Sequence, residues 1–317
     1  MASRPDLAAL RAAHDRIRPF VHRTPVLTCA AIDALSGARV FFKCENFQKA
    51  GAFKARGATN AVLSLPADAA ARGVATHSSG NHAAALALAA GRRGVPAYIV
   101  MPHTAPAVKR AAVEAYGGRM TFCEPDQASR EAAAAEVVRT TGATLVHPYN
   151  DERVIAGQGT AALELLADVP ELDAVLTPVG GGGLLSGTAI AVRGLRPAAR
   201  VIGCEPALAD DAAQSLRENR IVPARPPVTI ADGLRTALGD KTFPIIKELV
   251  EQIALAEEAE IVSAMRLVLE RMKIVVEPSA AVPLAVLLNR PLDLAGVRVG
   301  IILSGGNVDV TRLPFGA

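Results

Sequence analysis

Residues 174–195 read AVLTPVGGGGLLSGTAIAVRGL. A short run that is apolar at every position (174–176) leads into four glycines, Gly180, Gly181, Gly182 and Gly183, and then into a helical pattern. A strand without alternation is buried on both faces, which is the habit of a parallel sheet between helices. Glycines let the backbone turn its N–H groups inward without a Cβ in the way, and the helix start behind them adds partial positive charge. Together they form an anion cradle suited to a phosphate. A bare strand-to-helix turn would need only one glycine.

The same unit recurs outward along the chain. Val74–Thr76 leads to SSGN and AAALALAAGRR, Ala97–Met101 to PAVKRAAVEAYGG, and Met120–Cys123 to DQASREAAAAEVVRTTG. Leu145–Val146 leads to DERVIAGQGTAALELLADV, Val201–Ile202 ends at Glu205, and Val299–Leu303 ends at SGGN. Alternating strands and helices predict an α/β fold with parallel sheets covered on both faces. The Pro-rich stretch 221–233 reads as a loop or a domain-crossing segment. A length of 317 residues favours two domains.

Composition narrows the function. With 50% apolar and 21% charged residues, global disorder is excluded. No apolar run approaches the roughly 20 residues of a membrane span. A net charge of +3, 3% aromatics and no Trp leave little for a nucleic-acid stacking surface. The N-terminal segment reads as an amphipathic helix rather than a secretory signal, and no room for an appended regulatory domain is expected after the last motif. Cys29, Cys44, Cys123 and Cys204 fit no zinc spacing, so buried free thiols in a reducing cytoplasm are expected.

Only seven of the 34 basic residues are lysines, yet Lys43, Lys49 and Lys54 fall within twelve positions. In FFKCENFQKAGAFKARGA (41–58) an apolar strand feeds a turn, and Phe53-Lys54 opens a helix. Burial and the like charge of Arg56 are expected to lower the Lys54 amine pKa, and a neutral amine can form a Schiff base. A solvated lysine is the plain alternative for this segment alone. THSSGNH (76–82) places small hydroxyls and an amide at a helix start, where they can bind a carboxylate or a ring hydroxyl or merely cap the helix. SGGN (304–307) closes the last strong strand as a third such turn. The glycine loop also nearly meets a dinucleotide fingerprint: Gly181, Gly183 and Ser186, with Glu205 about twenty residues on. That reading leaves the lysine cluster and SSGNH unexplained.

These four segments, in this order, resemble the fold-type II pyridoxal-phosphate enzymes, and most nearly the serine/threonine dehydratase, serine racemase and 3-hydroxyaspartate dehydratase branch. RTPVL (23–27), HPYNDERVIAGQGT (147–160) and GCEPALADD (203–211) extend the likeness over nearly the whole chain. The resemblance implies a tryptophan-synthase-β-like fold with two open twisted parallel-sheet domains. The large one spans 1–65 and 150–317, the small one 66–149, and the cofactor lies in the cleft between them. It implies that Lys54 links to pyridoxal 5′-phosphate and exchanges the Cα proton, with Ser79 on the opposite face. Gly180–Gly183 and Leu184 would hold the phosphate, Phe53 would line the ring, Asn81 would meet its 3-hydroxyl and Ser304 its nitrogen. Ser78 and His82 belong to the loop that receives the substrate carboxylate, and Arg130 lies near the substrate side chain, where it could pair with a second carboxylate. Glu205, the Ala209 carbonyl and Asp211 match a divalent-cation site, with Mg²⁺ expected.

The implied activity is an ammonia-lyase that eliminates water from serine, threonine or 3-hydroxyaspartate. Racemisation is the alternative, because Ser79 carries a hydroxyl where many dehydratases of the family have alanine. A nicotinamide-dependent oxidoreductase becomes a minor reading. A cytoplasmic homodimer with a small amino-acid substrate, and without nucleic-acid or membrane partners, completes the expectation.

Overall fold

The computed structural model describes residues 4–315 except Ser79, Pro106 and Pro227. Among them are strands β1 (Val26–Leu27), β2 (Arg39–Cys44), β3 (Val74–His77), β4 (Ala97–Pro102) and β5 (Arg119–Cys123). They continue as β6 (Thr144–Leu145), β7 (Ala174–Pro178), β8 (Arg200–Pro206), β9 (Gln252–Ala256) and β10 (Arg298–Leu303). Six strands form one sheet in the order β1-β2-β10-β7-β8-β9, and four form another in the order β5-β4-β3-β6. Every pairing is parallel except β1 with β2, so the larger sheet departs from the expected all-parallel pattern at one edge. A two-residue edge strand leaves little open ladder for foreign chains. Neither β1 nor β9 stands out in sequence: the first is too short to show a pattern, and most of the second is only half-buried.

The uniform apolar runs have a direct cause. In β7, Val175 and Leu176 point to opposite faces and both are fully buried, each in a different core cluster. Ile301 and Ile302 of β10 divide in the same way. Helices Glu258–Leu267 and Pro278–Asn289 contribute to one cluster, and Glu152–Asp168 and Gly183–Leu195 to the other. A third cluster, including Ile99, Met101 and Leu86, belongs to the four-stranded sheet and its helices.

Two features position the site. Helices Lys54–Leu63, Glu152–Asp168 and Gly183–Leu195 meet backbone to backbone. A Cβ on Gly157 would come within 2.6 Å of Gly57 Cα, and one on Gly187 within 2.5 Å of the Gly159 nitrogen. Below them lies a closed ion network. Arg56 donates to Glu45 at 2.7 and 2.8 Å and to Glu164 at 2.9 and 2.7 Å. Lys43 Nζ also reaches Glu164 at 2.7 Å. Two cations thus face two carboxylates, and all four side chains are buried.

Among the described residues no helix is long and apolar enough to cross a membrane. The four cysteines are free; Cys44 and Cys204 are buried as expected, whereas Cys29 and Cys123 are only half-buried.

Candidate active site

Lys54 opens its helix, with no side chain capping the turn. The end of β10 holds this turn in place: Phe53 N donates to Ser304 O at 3.0 Å, and Ala52 bridges to Gly305. The Lys54 ammonium lies 5.0 Å from the Phe53 ring centroid and donates to Pro148 O at 2.7 Å. Burial brings the amine pKa down to about 8, against the opposing pull of the Glu277 carboxylate. The expected like-charge contribution from Arg56 is corrected here, because that guanidinium is neutralised by Glu45 and Glu164 and faces them.

The residue after Pro148 reaches the glycine loop. A Cβ on Gly181 would sit 2.3 Å from the Tyr149 ring, and one on Gly180 2.9 Å from Leu234 Cα. Gly182 adopts φ +86°, a conformation that side chains resist, and caps helix Gly183–Leu195 without a side-chain partner. Thr242 Oγ1 holds the loop through Gly181 O at 2.8 Å. The first N–H groups of this helix, including Leu184, have no carbonyl one turn earlier, and together with the helix dipole they make an anion seat.

Asn81 begins a third helix whose N-terminus no side chain caps, so the plain capping role for SSGN is absent among the described residues. Ser79 lies outside the described residues. Ser78 is tied by its N–H to Val100 O at 3.0 Å, and its Oγ accepts from Gly80 N at 3.3 Å. The Asn81 amide donates to both oxygens of Glu277 at 2.9 and 3.0 Å. Ser304 is buried beside Phe53. His82 is also buried: its Nε2 faces Val146 O at 3.2 Å, and Nδ1 has no partner among the described residues. Burial, reinforced by the charge of Lys54, holds its pKa well below the usual value and the ring neutral.

A second imidazole, His147, feels the charge of Lys54. His147 stacks edge-on with His77 at 5.3 Å and with Tyr149 at 4.5 Å. Its Nδ1 accepts from Asn150 N at 3.0 Å and Tyr149 N at 3.4 Å. Burial, with the neighbouring His77 and Lys54, lowers its pKa to about 4, so the ring stays neutral with its proton on Nε2. Arg130 is half-buried, its charge acts on His77, and its Nε is a buried donor without a partner among the described residues.

The cation ligands implied by the resemblance lie at and just after the end of β8. Glu205 accepts from Ala212 N and Ala213 N, both at 2.9 Å, and burial pushes its carboxyl pKa up to about 9. Asp211 is 3% exposed, neither of its oxygens has a partner among the described residues, and burial raises its pKa to about 6. No group of three His, Cys, Asp or Glu side chains suited to a metal occurs among the described residues. Two carboxylates, one of them without a partner among the described residues, suit a hard cation that completes its shell with water.

Glu277, Pro148 and His147 are the residues that motif reading did not single out. Glu277 had one visible signal: in IVVEPS (274–279) a carboxylate ends an apolar run directly before a helix-starting proline.

A family model described as pyridoxal-phosphate dependent enzyme matches residues 17–305. The beta-hydroxyaspartate dehydratase of Paracoccus denitrificans is 52% identical over 311 residues, covering 98% of this chain and 99% of that protein. The serine racemase of Arabidopsis thaliana is 51% identical over 313 residues, covering 97% and 95%. The solved structure of maize serine racemase superposes with a TM-score of 0.96 at 46% identity, covering 98% of this chain and 95% of that one.

Proposed function

Because the chain belongs to the pyridoxal-phosphate dependent enzymes, we propose that it is an ammonia-lyase that removes water and ammonia from a β-hydroxy amino acid. The observation that carries this reading is the half-buried Lys54 amine, with its pKa lowered to about 8, joined through Pro148-Tyr149 to an uncapped glycine-loop helix. The residues present fit pyridoxal phosphate: an amine for its aldehyde, a loop of N–H groups for its phosphate, and Asn81 and Ser304 for its ring. When bound, this cofactor supplies an electron sink for the pair left at Cα. Lys54 takes the Cα proton, and its lowered pKa suits a base working near neutrality. Phe53 keeps water from the amine. The uncapped start of helix Asn81–Arg93, with the Ser78 hydroxyl beside it, receives the substrate α-carboxylate, and neutral His147 offers an N–H donor beside the lysine.

Arg130 selects the substrate. A buried guanidinium donor without a partner calls for an anion, and the second carboxylate of 3-hydroxyaspartate supplies one. Arg130→Ala should lower kcat/KM for 3-hydroxyaspartate by about 10²–10³ and leave that for serine within about threefold. Steady-state kinetics on both substrates checks this, and equal losses would remove Arg130 from the pocket.

Racemisation is the second reading, favoured by the relatives named serine racemase. Parallel assays of 2-oxo acid and D-isomer separate the two, and a D-isomer rate well above the 2-oxo acid rate would replace the lyase assignment.

We further propose that the two sheets mark domains at 1–65 with 150–317 and at 66–149, and that the protein works as a cytoplasmic homodimer. Glu205, Ala209 and Asp211 would hold Mg²⁺ as a structural ion. A carboxyl that binds its proton more tightly when folded loses stability as pH rises from about 4, its unfolded value, through the folded value of about 6 for Asp211. The stabilisation by Mg²⁺ should therefore be larger at pH 8 than at pH 5, approaching about 2.7 kcal/mol at a hundredfold excess over Kd, and should appear as a higher Tm. Asp211→Asn should remove the response; thermal melts with Mg²⁺ and with chelator decide, and an unchanged response in the variant would rule the site out.

A further inference from the structure

A line of amides crosses from the six-stranded sheet to the start of helix Asn81–Arg93, and its polarity is fixed at both ends. Ala50 O can only accept, so Asn307 presents Nδ2 to it at 2.8 Å. The same Nδ2 donates to Asn81 Oδ1 at 3.0 Å. Asn81 must then turn its own Nδ2 the other way, where both Glu277 oxygens accept it at 2.9 and 3.0 Å.

Glu277 occupies the N-cap position of helix Pro278–Asn289, but its side chain caps nothing. Its own N–H is tied to Gly305 O at 3.0 Å, and a Cβ on Gly305 would press within 2.7 Å of Oε1. The carboxylate is 4% exposed. Burial, helped by the Asp232 charge and opposed by the Asn81 amide and Lys109, raises its pKa to about 7. A buried carboxylate held this way, instead of satisfying the helix it begins, serves its amide partner.

We propose that Glu277 is a positioning residue that locks the Asn81 side chain so that it meets the cofactor ring oxygen as an N–H donor and not as a carbonyl acceptor. This inference rests on the pyridoxal phosphate reading above. A donor at that oxygen favours its ionised form; an acceptor would hold the proton there.

The test measures cofactor affinity, the absorption spectrum of the loaded protein and the Tm of the apo protein. Glu277→Leu removes the acceptor and should weaken pyridoxal phosphate binding about tenfold, the loss of one charge-assisted hydrogen bond. Its absorption should shift toward shorter wavelength as the ring oxygen keeps its proton. Glu277→Gln, which still presents a carbonyl, should restore both readouts to near the wild-type values. The double variant Asn81→Asp, Glu277→Gln keeps the hydrogen bonds but reverses their direction. Its apo Tm should match the wild type, while its affinity and spectrum fall below those of Glu277→Leu. If Glu277→Leu fails to fold, the double variant decides alone. A wild-type spectrum and affinity in Glu277→Leu or in the double variant would overturn the proposal. If Asn81→Ala perturbs both readouts and Glu277→Leu neither, Glu277 loses its role while the cofactor reading stands. If hydride trapping finds no adduct on Lys54, the cofactor reading itself fails.

Discussion

Replacing Lys54 with alanine is expected to abolish the hydride-trappable pyridoxal adduct and to lower turnover by at least about 10²–10⁴-fold, since base and covalent anchor vanish together. The fold should survive. Among the described residues the amine donates only to Pro148 O, at 2.7 Å, and burial already works against its charge, so the thermal midpoint should stay level or rise. The same lowered pKa predicts the pH profile of cofactor uptake by the apo protein. Only the neutral amine attacks an aldehyde, so the uptake rate should climb through about pH 8, below the 10.5 of an ordinary lysine. Mass spectrometry after borohydride, with absorption spectra of both proteins, checks the assignment. An adduct on another side chain, or undiminished turnover in the variant, would refute it.

The second large effect is structural. Glu164→Ala leaves Lys43 and Arg56 with only the Glu45 carboxylate, inside a region where all of these side chains are buried. Breaking a buried ion network from one side costs about 3–5 kcal/mol, a large share of a typical domain's stability. Burial already lowers the Lys43 pKa, and loss of its carboxylate partner lowers it further. The unfolded chain then binds the proton more tightly than the folded one, so the variant should gain stability as pH rises toward the unfolded lysine value of about 10.4. Pairing Glu164→Gln with Lys43→Met restores one cation to one carboxylate and should recover most of the loss. Chemical denaturation at pH 7 and pH 9 tests both statements; a single variant as stable as the parent would show that the network is not held as charged groups.

Sequence reading recovered the local units and lost what depends on distant contacts. Val74–Thr76, Ala97–Met101 and Val299–Leu303 each lie inside an observed strand because doubly buried strands advertise themselves as apolar runs. Val26–Leu27 was invisible, since its pairing with Lys43 and Phe42 is the only thing that makes it a strand. The same contrast holds in the site. Gly182 was legible because a positive φ and a helix start both demand glycine. Glu277 showed only a carboxylate before a helix-starting proline, with nothing to say what it holds, because its partner Asn81 is 196 positions away. Arg56 misled: beside Lys54 in sequence it suggested repulsion, but its guanidinium faces Glu45 and Glu164. Adjacency along a helix start does not tell which way a long side chain will turn.

The three helices that touch through Gly57, Gly157, Gly159 and Gly187 act as a ruler made of main chain. Rotamer changes cannot stretch it, and any added methyl group would push its marks apart. The distance from Lys54 to the start of helix Gly183–Leu195 is therefore set by main chain, whereas Arg130 stands on a helix packed on the other sheet. Directed selection for new amino acids should accumulate its changes there and leave the ruler untouched.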